Sequence, residues 1–224
     1  MSHSITTELV LKDWRIMRTP TLLYWAAGFA AIIVAVIGGE AFGTISFIMF
    51  IAAMAGAGIH CLMATIVVER TEMNLPFIMS LPVTVKEFTQ AKLVVNLTIF
   101  ISVWVTLAAA SLLIFIGPDS MPMGTLPFFC IILVAILMAY VIMLAVTMLS
   151  GSQGWAIGST VVANIGTQVY LWFIADLHGI RSVIGGPEAV WTSTAVTVLV
   201  GEIALILALL WLTYALQSRK KDFV

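Results

Sequence analysis

The sequence predicts an all-α membrane protein, a single domain over residues 1–224 that crosses the bilayer six times. Of its 224 residues, 62% are hydrophobic and only 9% are charged, whereas a soluble domain carries about 25% charged residues. Six apolar runs each approach the ~20 residues that a helix needs to cross a ~30 Å hydrocarbon layer. Because hydrocarbon offers the backbone no hydrogen-bond partners, each run is predicted to be a helix. The runs are 21–39, 44–68, 93–116, 126–149, 155–174 and 192–216.

Ahead of the first run, residues 1–20 are predicted to form an interfacial helix that ends at Pro20. Glu8 suits its first turn, and its apolar side chains share one face, although Asp13 interrupts that face. A basic amphipathic helix of this kind is expected to lie in the lipid headgroup layer. The apolar face holds Val10, Trp14 and Met17, and the opposite face holds Lys12 and Arg15.

Between the second and third runs, residues 69–92 form the longest charged interval of the chain. Thr84 and Glu87 have the spacing of a capping box, which predicts a helix start leading into the third run. Asn74 is placed to cap an earlier short helix with a proline in its first turn, and Pro82 separates the two pieces. Such capping and apolar surface in a loop indicate a docking surface. The short helix carries Leu75, Phe77, Ile78 and Met79.

The distribution of Lys and Arg predicts the orientation, because loops on the cytoplasmic side carry more of these residues. With the N-terminus inside, the inner segments hold nine of the ten cations and the outer segments hold only Arg181. Both termini and residues 69–92 are therefore expected to be cytoplasmic. The inner cations are Lys12, Arg15, Arg18, Arg70, Lys86, Lys92, Arg219, Lys220 and Lys221.

Polar side chains inside the apolar runs are the candidates for a transport pathway. Glu202 lies well inside the sixth run, where an ionised carboxylate costs ~2.5–3.5 kcal/mol. It either lines a wet pathway or is a protonated group bonded to a neighbouring helix. In the fifth run, Thr160, Asn164, Thr167 and Gln168 recur at helical spacing, and we call them the polar stripe. Each could bond between helices, but the stripe as a whole favours the lining of a passage.

Other features indicate packing rather than chemistry. Small residues at 52–58 predict close helix approach, and His60 is interpreted as a structural hydrogen-bonding group. The outer loop 176–191 carries ligand-type side chains, but their spacing matches no closed metal site, and the loop is predicted to be an outer gate. No phosphate-binding P-loop is present, so the chain is not expected to bind a nucleotide in that way. No other cofactor is expected on this chain, and no residue is predicted to be catalytic. The ligand-type side chains are Asp176, His178 and Glu188.

Several motifs together are typical of one family of membrane proteins. They are the basic amphipathic start LVLKDWRIMRTP, the acidic-basic pair at 69–70, the inner stretch SLPVTVKE followed by AKL, the six spans and the basic tail SRKKD. On these motifs the whole chain resembles the membrane subunit of a type-2 ATP-binding-cassette (ABC) transporter. This is the permease class that exports drugs, polysaccharides, peptides and lipids.

The resemblance implies that residues 69–88 are the coupling helix region, which sits on the ATPase subunit. It also implies two permease subunits, identical or homologous, and two ATP-binding subunits that alone bind ATP and Mg. The second and fifth spans would line the route between the permeases. The coupling residues are then Glu69, Arg70, Leu75, Phe77, Ile78, Met79, Lys86 and Glu87. The pathway residues are Asn164, Thr167, Gln168 and Glu202.

The predicted function is therefore that of an ABC permease subunit in the bacterial cytoplasmic membrane. The small number of charges inside the spans favours export of a hydrophobic, amphipathic, peptide-like or lipid-like cargo. The alternative is a secondary transporter that uses Glu202 as a proton or cation site and needs no ATPase. An intramembrane enzyme is disfavoured, because no Ser–His or paired-Asp arrangement falls within the spans.

Overall fold

The structure, a computed structural model, describes residues 5–71, 85–116, 121–150 and 152–219. These ranges are almost wholly helical and contain no strand, so the predicted all-α class is confirmed. The α-helices are Ile5–Leu62, Val68–Thr71, Val85–Ser111, Leu126–Ser150, Gln153–Asp176, His178–Arg181 and Ser193–Gln217. A π-helical turn covers Met63–Val67, and 3-10 turns cover Leu112–Phe115 and Met123–Thr125.

Within the described residues, six helical segments are long and apolar enough to cross a membrane, as predicted. We number them span 1 to span 6. They are Thr7–Gly38, Phe42–Val67, Glu87–Phe115, Met123–Ser150, Gln153–Asp176 and Ser193–Gln217. Spans 2 to 6 agree with the predicted runs to within a few residues, except that span 3 begins at Glu87 rather than at residue 93.

Spans 1 and 2 form an antiparallel hairpin although both belong to the helix Ile5–Leu62. The hydroxyl of Tyr24 lies 3.2 Å from Nδ1 of His60, whereas 36 residues of straight helix would separate them by about 54 Å. A Cβ built on Gly38 would lie 2.8 Å from Cβ of Phe42, which is far closer than a regular helical turn allows. The chain therefore reverses direction at Gly38–Phe42.

Span 1 continues through Pro20, so the predicted helix end at that residue is wrong. Asp13 contacts Lys92, and a Cβ built on Gly28 would contact Leu107. The same number of residues separates these two contacts in span 1 and in span 3. The two helices thus run side by side in the same direction. Packing against span 3 compensates for the loss of the backbone hydrogen bond that proline cannot donate. The interfacial position of residues 1–20 stays a prediction.

Span 4 is the central helix of the bundle. Of its most apolar stretch, 72% is buried, compared with 17% for spans 5 and 6. On one side the indole of Trp104 donates a hydrogen bond to the carbonyl of Leu133 at 2.7 Å, and the rings of Phe100 and Tyr140 stack with their centroids 3.8 Å apart. Span 4 can occupy this position because nearly all its side chains are apolar.

The outer loop between spans 5 and 6 folds onto the end of span 4. Ile180, in the short helix His178–Arg181, is 1% exposed and packs in one apolar cluster with Ile131 and Ile174. The amide of Gly124 donates to the carbonyl of Gly186 at 2.9 Å. The loop therefore covers one end of spans 4, 5 and 6, and both its location on the outer side of the membrane and its gating role stay predictions.

Candidate functional site

Four charged side chains meet where span 1 begins, span 2 ends and span 3 begins, and we call them the charge cluster: Lys12, Asp13, Glu69 and Lys92. Nζ of Lys92 lies 2.7 Å from Oδ2 of Asp13 and also contacts Glu69. Nζ of Lys12 lies 2.5 Å from Oε1 of Glu69 and 3.4 Å from Oδ1 of Asp13. Lys92 is 0% exposed, and only Lys12 reaches the surface, at 43%. Two cations and two carboxylates thus form one alternating network.

The burial of Lys92 is possible because its charge is neutralised and its protons are hydrogen-bonded. An unpaired ion in a low-dielectric interior costs several kcal/mol. Here the ammonium also donates to the carbonyl of Thr65 at 2.7 Å and lies 5.6 Å from the centre of the Phe88 ring, in cation–π geometry. The formal charges of the cluster sum to zero, so the group as a whole is compatible with an apolar surrounding.

A layer of uncharged polar groups continues the network into spans 2, 3 and 4. Oδ1 of Asn96 accepts from Thr65 at 3.0 Å and from Cys61 at 3.3 Å. The backbone carbonyl of Asn96 accepts from the hydroxyl of Tyr140 at 2.9 Å. Thr65 belongs to the π-helical turn, a distortion frequent at functional sites. Spans 1 to 4 are therefore tied together near the charge cluster by buried hydrogen bonds.

The charge cluster lies at the base of the predicted coupling region, since Glu69 and Lys92 are the two ends of the charged interval 69–92 that contains it, and we call this interval the coupling segment. Glu87 lies in the first turn of span 3 with an exposed side chain. The capping partner Thr84 falls outside the described residues, so the capping box stays a prediction. The other predicted coupling side chains also lie outside what the structure describes, and their roles stay predictions. They are Arg70, Leu75, Phe77, Ile78, Met79 and Lys86.

Sequence reasoning missed the charge cluster, although two signals were present. Asp13 interrupts an otherwise apolar face, and Lys92 is one of several cations predicted to lie on the inner side. A carboxylate on the packed face of a helix needs a cationic partner. That partner is 79 residues away in the chain, so only the packing of spans 1 and 3 identifies it.

Three residues of the polar stripe, Asn164, Thr167 and Gln168, line a small cavity opposite Ala55 and Gly58 of span 2. Asn164 and Thr167 donate to carbonyls one turn back in their own helix, at 2.7 Å each. These bonds do not join neighbouring helices, so they do not support the reading of interhelical glue. The cavity volume is about 30 Å³, about the space that one water molecule takes in the liquid.

Glu202 does not join the polar stripe at this cavity. Its side chain is 3% exposed, and its Oε1 accepts a hydrogen bond from the hydroxyl of Tyr170 at 2.8 Å. The carboxyl therefore lies between spans 5 and 6, bonded to a neighbouring helix. The contact with a neighbouring helix agrees with that part of the second alternative, whereas the protonation of the carboxyl and the pathway role of Glu202 stay predictions.

Comparison with known protein families decides the class of this bundle. The family described as ABC-2 family transporter protein matches residues 8–220, which is nearly the whole chain. The chain belongs to the ABC-2 transporter family. Together with the six spans, membership makes it a multi-pass permease subunit of an ABC transporter. No curated protein and no solved structure matches the chain.

Membership in the ABC-2 family implies an ATP-binding partner and a dimeric assembly. In an ABC-2 permease, the charge cluster would join both ends of the predicted coupling segment to span 1. The polar stripe faces span 2, which fits the expectation that spans 2 and 5 belong to one route. The ABC-2 family assignment thus relates two groups of residues that the sequence alone treated separately.

Proposed function

We propose that this ABC-2 permease subunit exports an amphipathic, peptide-like or lipid-like cargo across a bacterial cytoplasmic membrane. The energy comes from ATP, bound with Mg and hydrolysed in a separate subunit that docks on residues 69–88. Two permease copies, identical or homologous, and two ATP-binding subunits form the transporter. The chain itself holds no nucleotide and catalyses no reaction.

The observation that carries this proposal is the anchoring of the coupling segment at both ends. Glu69 and Lys92 contact each other, and both are bonded to side chains of span 1. Because its two ends are fixed to each other and to span 1, a displacement of the segment by a partner would be transmitted to those ends. Spans 2 and 3, which continue from those ends, would then tilt and switch access.

The small size of the cavity beside the polar stripe supports a route between subunits. At about 30 Å³, this cavity is too small for a drug-sized ligand, which needs a pocket of ~300–1,000 Å³. A passage between two copies, bordered by spans 2 and 5, has no such limit. The scarcity of charges along these spans favours a cargo with a large apolar part.

The test is co-purification of the chain with a candidate ATP-binding subunit. Changing Phe77→Ala and Ile78→Ala together is expected to abolish complex formation and stimulation of ATP hydrolysis, because anchors in an interface carry most of its binding energy. The matched control changes Phe42→Ala and Ile45→Ala, which are 50% and 53% exposed at the other end of the bundle. The control pair should bind and stimulate as the unaltered chain does.

Unchanged binding by the Phe77/Ile78 variant would refute the coupling assignment. The alternative, a secondary transporter that uses Glu202, is separated by the energy source. Vesicles with an imposed proton gradient and no ATP should show no transport, whereas ATP alone should drive it. Transport that follows the proton gradient would reject the ABC mechanism.

A further inference from the structure

We propose that the N-terminal part of span 1 is a third element of coupling and that Asp13 is its positioning residue. The proposal rests on the proposed function and adds a component that no coupling motif in the sequence contains. Asp13 is 1% exposed and accepts the charged hydrogen bond of Lys92 at 2.7 Å. Span 1 thereby reaches one end of the coupling segment directly, and Lys12 of the same helix reaches the other end at Glu69.

The packing beyond the charge cluster makes span 1 respond as one body. Met17, one turn after Asp13, is 1% exposed and packs with Cys61, Val95 and Ile99 of spans 2 and 3. The helix then continues without interruption through Pro20. A displacement that enters at Lys92 is therefore delivered to span 1 over a continuous interface, as well as to spans 2 and 3 through the chain.

The charges matter because they resist pulling as well as pushing. Apolar contacts alone slide with little resistance, whereas separation of Asp13 from Lys92 would leave two buried charges without partners. Such separation is strongly unfavourable in a low-dielectric interior. The ion pair thus holds span 1 against the start of span 3.

The experiment reads motion of span 1 directly, so it needs no identified cargo. In a Cys130→Ala background, a fluorescent label is attached at Ile33→Cys on span 1 or at Val162→Cys on span 5; both positions are exposed. The complex with its ATP-binding subunit is placed in phosphatidylcholine vesicles. ATP should change the label signal on span 1, and D13N should reduce that change by about tenfold, whereas the span 5 signal should persist.

Matched variants separate a positioning role from a general loss of structure. R15Q removes an exposed cation from the same helix and should leave the span 1 signal unchanged. D13E keeps the carboxylate and should restore most of the signal. If D13N does not accumulate in the membrane, the charge reversal D13K/K92D replaces it, with recovery expected only in the double variant.

An unchanged span 1 signal in D13N, or no recovery in D13K/K92D, would overturn the role of Asp13. Loss of the span 5 signal together with that of span 1 would also overturn it, since the effect would then be general. If the unaltered chain neither binds an ATP-binding subunit nor stimulates ATP hydrolysis, the proposed function itself fails. The two failures are therefore distinguishable.

Discussion

Removal of the buried ammonium group of Lys92 should strongly destabilise the bundle. In the Lys92→Met variant, Asp13 and Glu69 keep only Lys12, which is 43% exposed, and the charge of the cluster changes from zero to minus one. Removing one partner from a buried ion pair costs ~3–5 kcal/mol. We therefore expect the free energy of unfolding to fall by about that amount.

A second variant tests whether the loss is electrostatic. D13N/K92M leaves Lys12 and Glu69, so the cluster is neutral again, and it should recover ~1–3 kcal/mol relative to K92M. Unfolding can be followed in mixed micelles by tryptophan fluorescence, since the chain has seven tryptophans. The exposed cation Arg15 provides the control, and R15M should change the unfolding free energy by less than ~0.5 kcal/mol.

Two results would refute this reasoning. One is a K92M variant within about 1 kcal/mol of the unaltered chain, which would mean that the carboxylates find water or other partners. The other is a double variant less stable than K92M, which would mean that Lys92 and Asp13 act independently.

Two further predictions concern the outer loop and Glu202. Gly124→Ala should detach the outer loop and increase its cleavage by protease, because the added Cβ would clash with the backbone carbonyl of Val183. The control is Gly158→Ala, whose added Cβ meets no atom within 4 Å and should have no effect. Glu202→Gln should change the unfolding free energy by less than ~0.5 kcal/mol, since an amide oxygen still accepts from Tyr170. Tyr170→Phe should lower the unfolding free energy by ~0.6 kcal/mol. A large loss of stability in Glu202→Gln, with Tyr170→Phe neutral, would contradict this.

The parts of the fold that depend on hydrophobicity could be read directly from the sequence. Span 4 illustrates this, because a run with almost no polar residue can only be a membrane helix. The end of the first helix could not be read in the same way. Pro20 signals a helix end by local rules, but contacts such as Gly28 with Leu107 hold the helix together across it.

The candidate site likewise contains some residues that the sequence predicts and others that only the tertiary structure brings together. The polar stripe followed from its spacing on one helix, and the structure placed three of its residues beside span 2. The charge cluster did not follow, because Asp13 and Lys92 belong to helices whose adjacency no local pattern encodes. For Glu202 the sequence left two environments open, and the hydroxyl of Tyr170 shows which neighbour it has.

Composition and the spacing of apolar residues by themselves determined that this chain is a helical membrane protein of six spans. This is because the hydrocarbon layer imposes one length and one hydrogen-bonding pattern on every span. Tertiary packing alone decided which buried charges are neighbours. Ion pairing in the interior depends on distances of a few ångströms between helices, and those distances are set by how spans 1, 2 and 3 fit together rather than by their order in the chain.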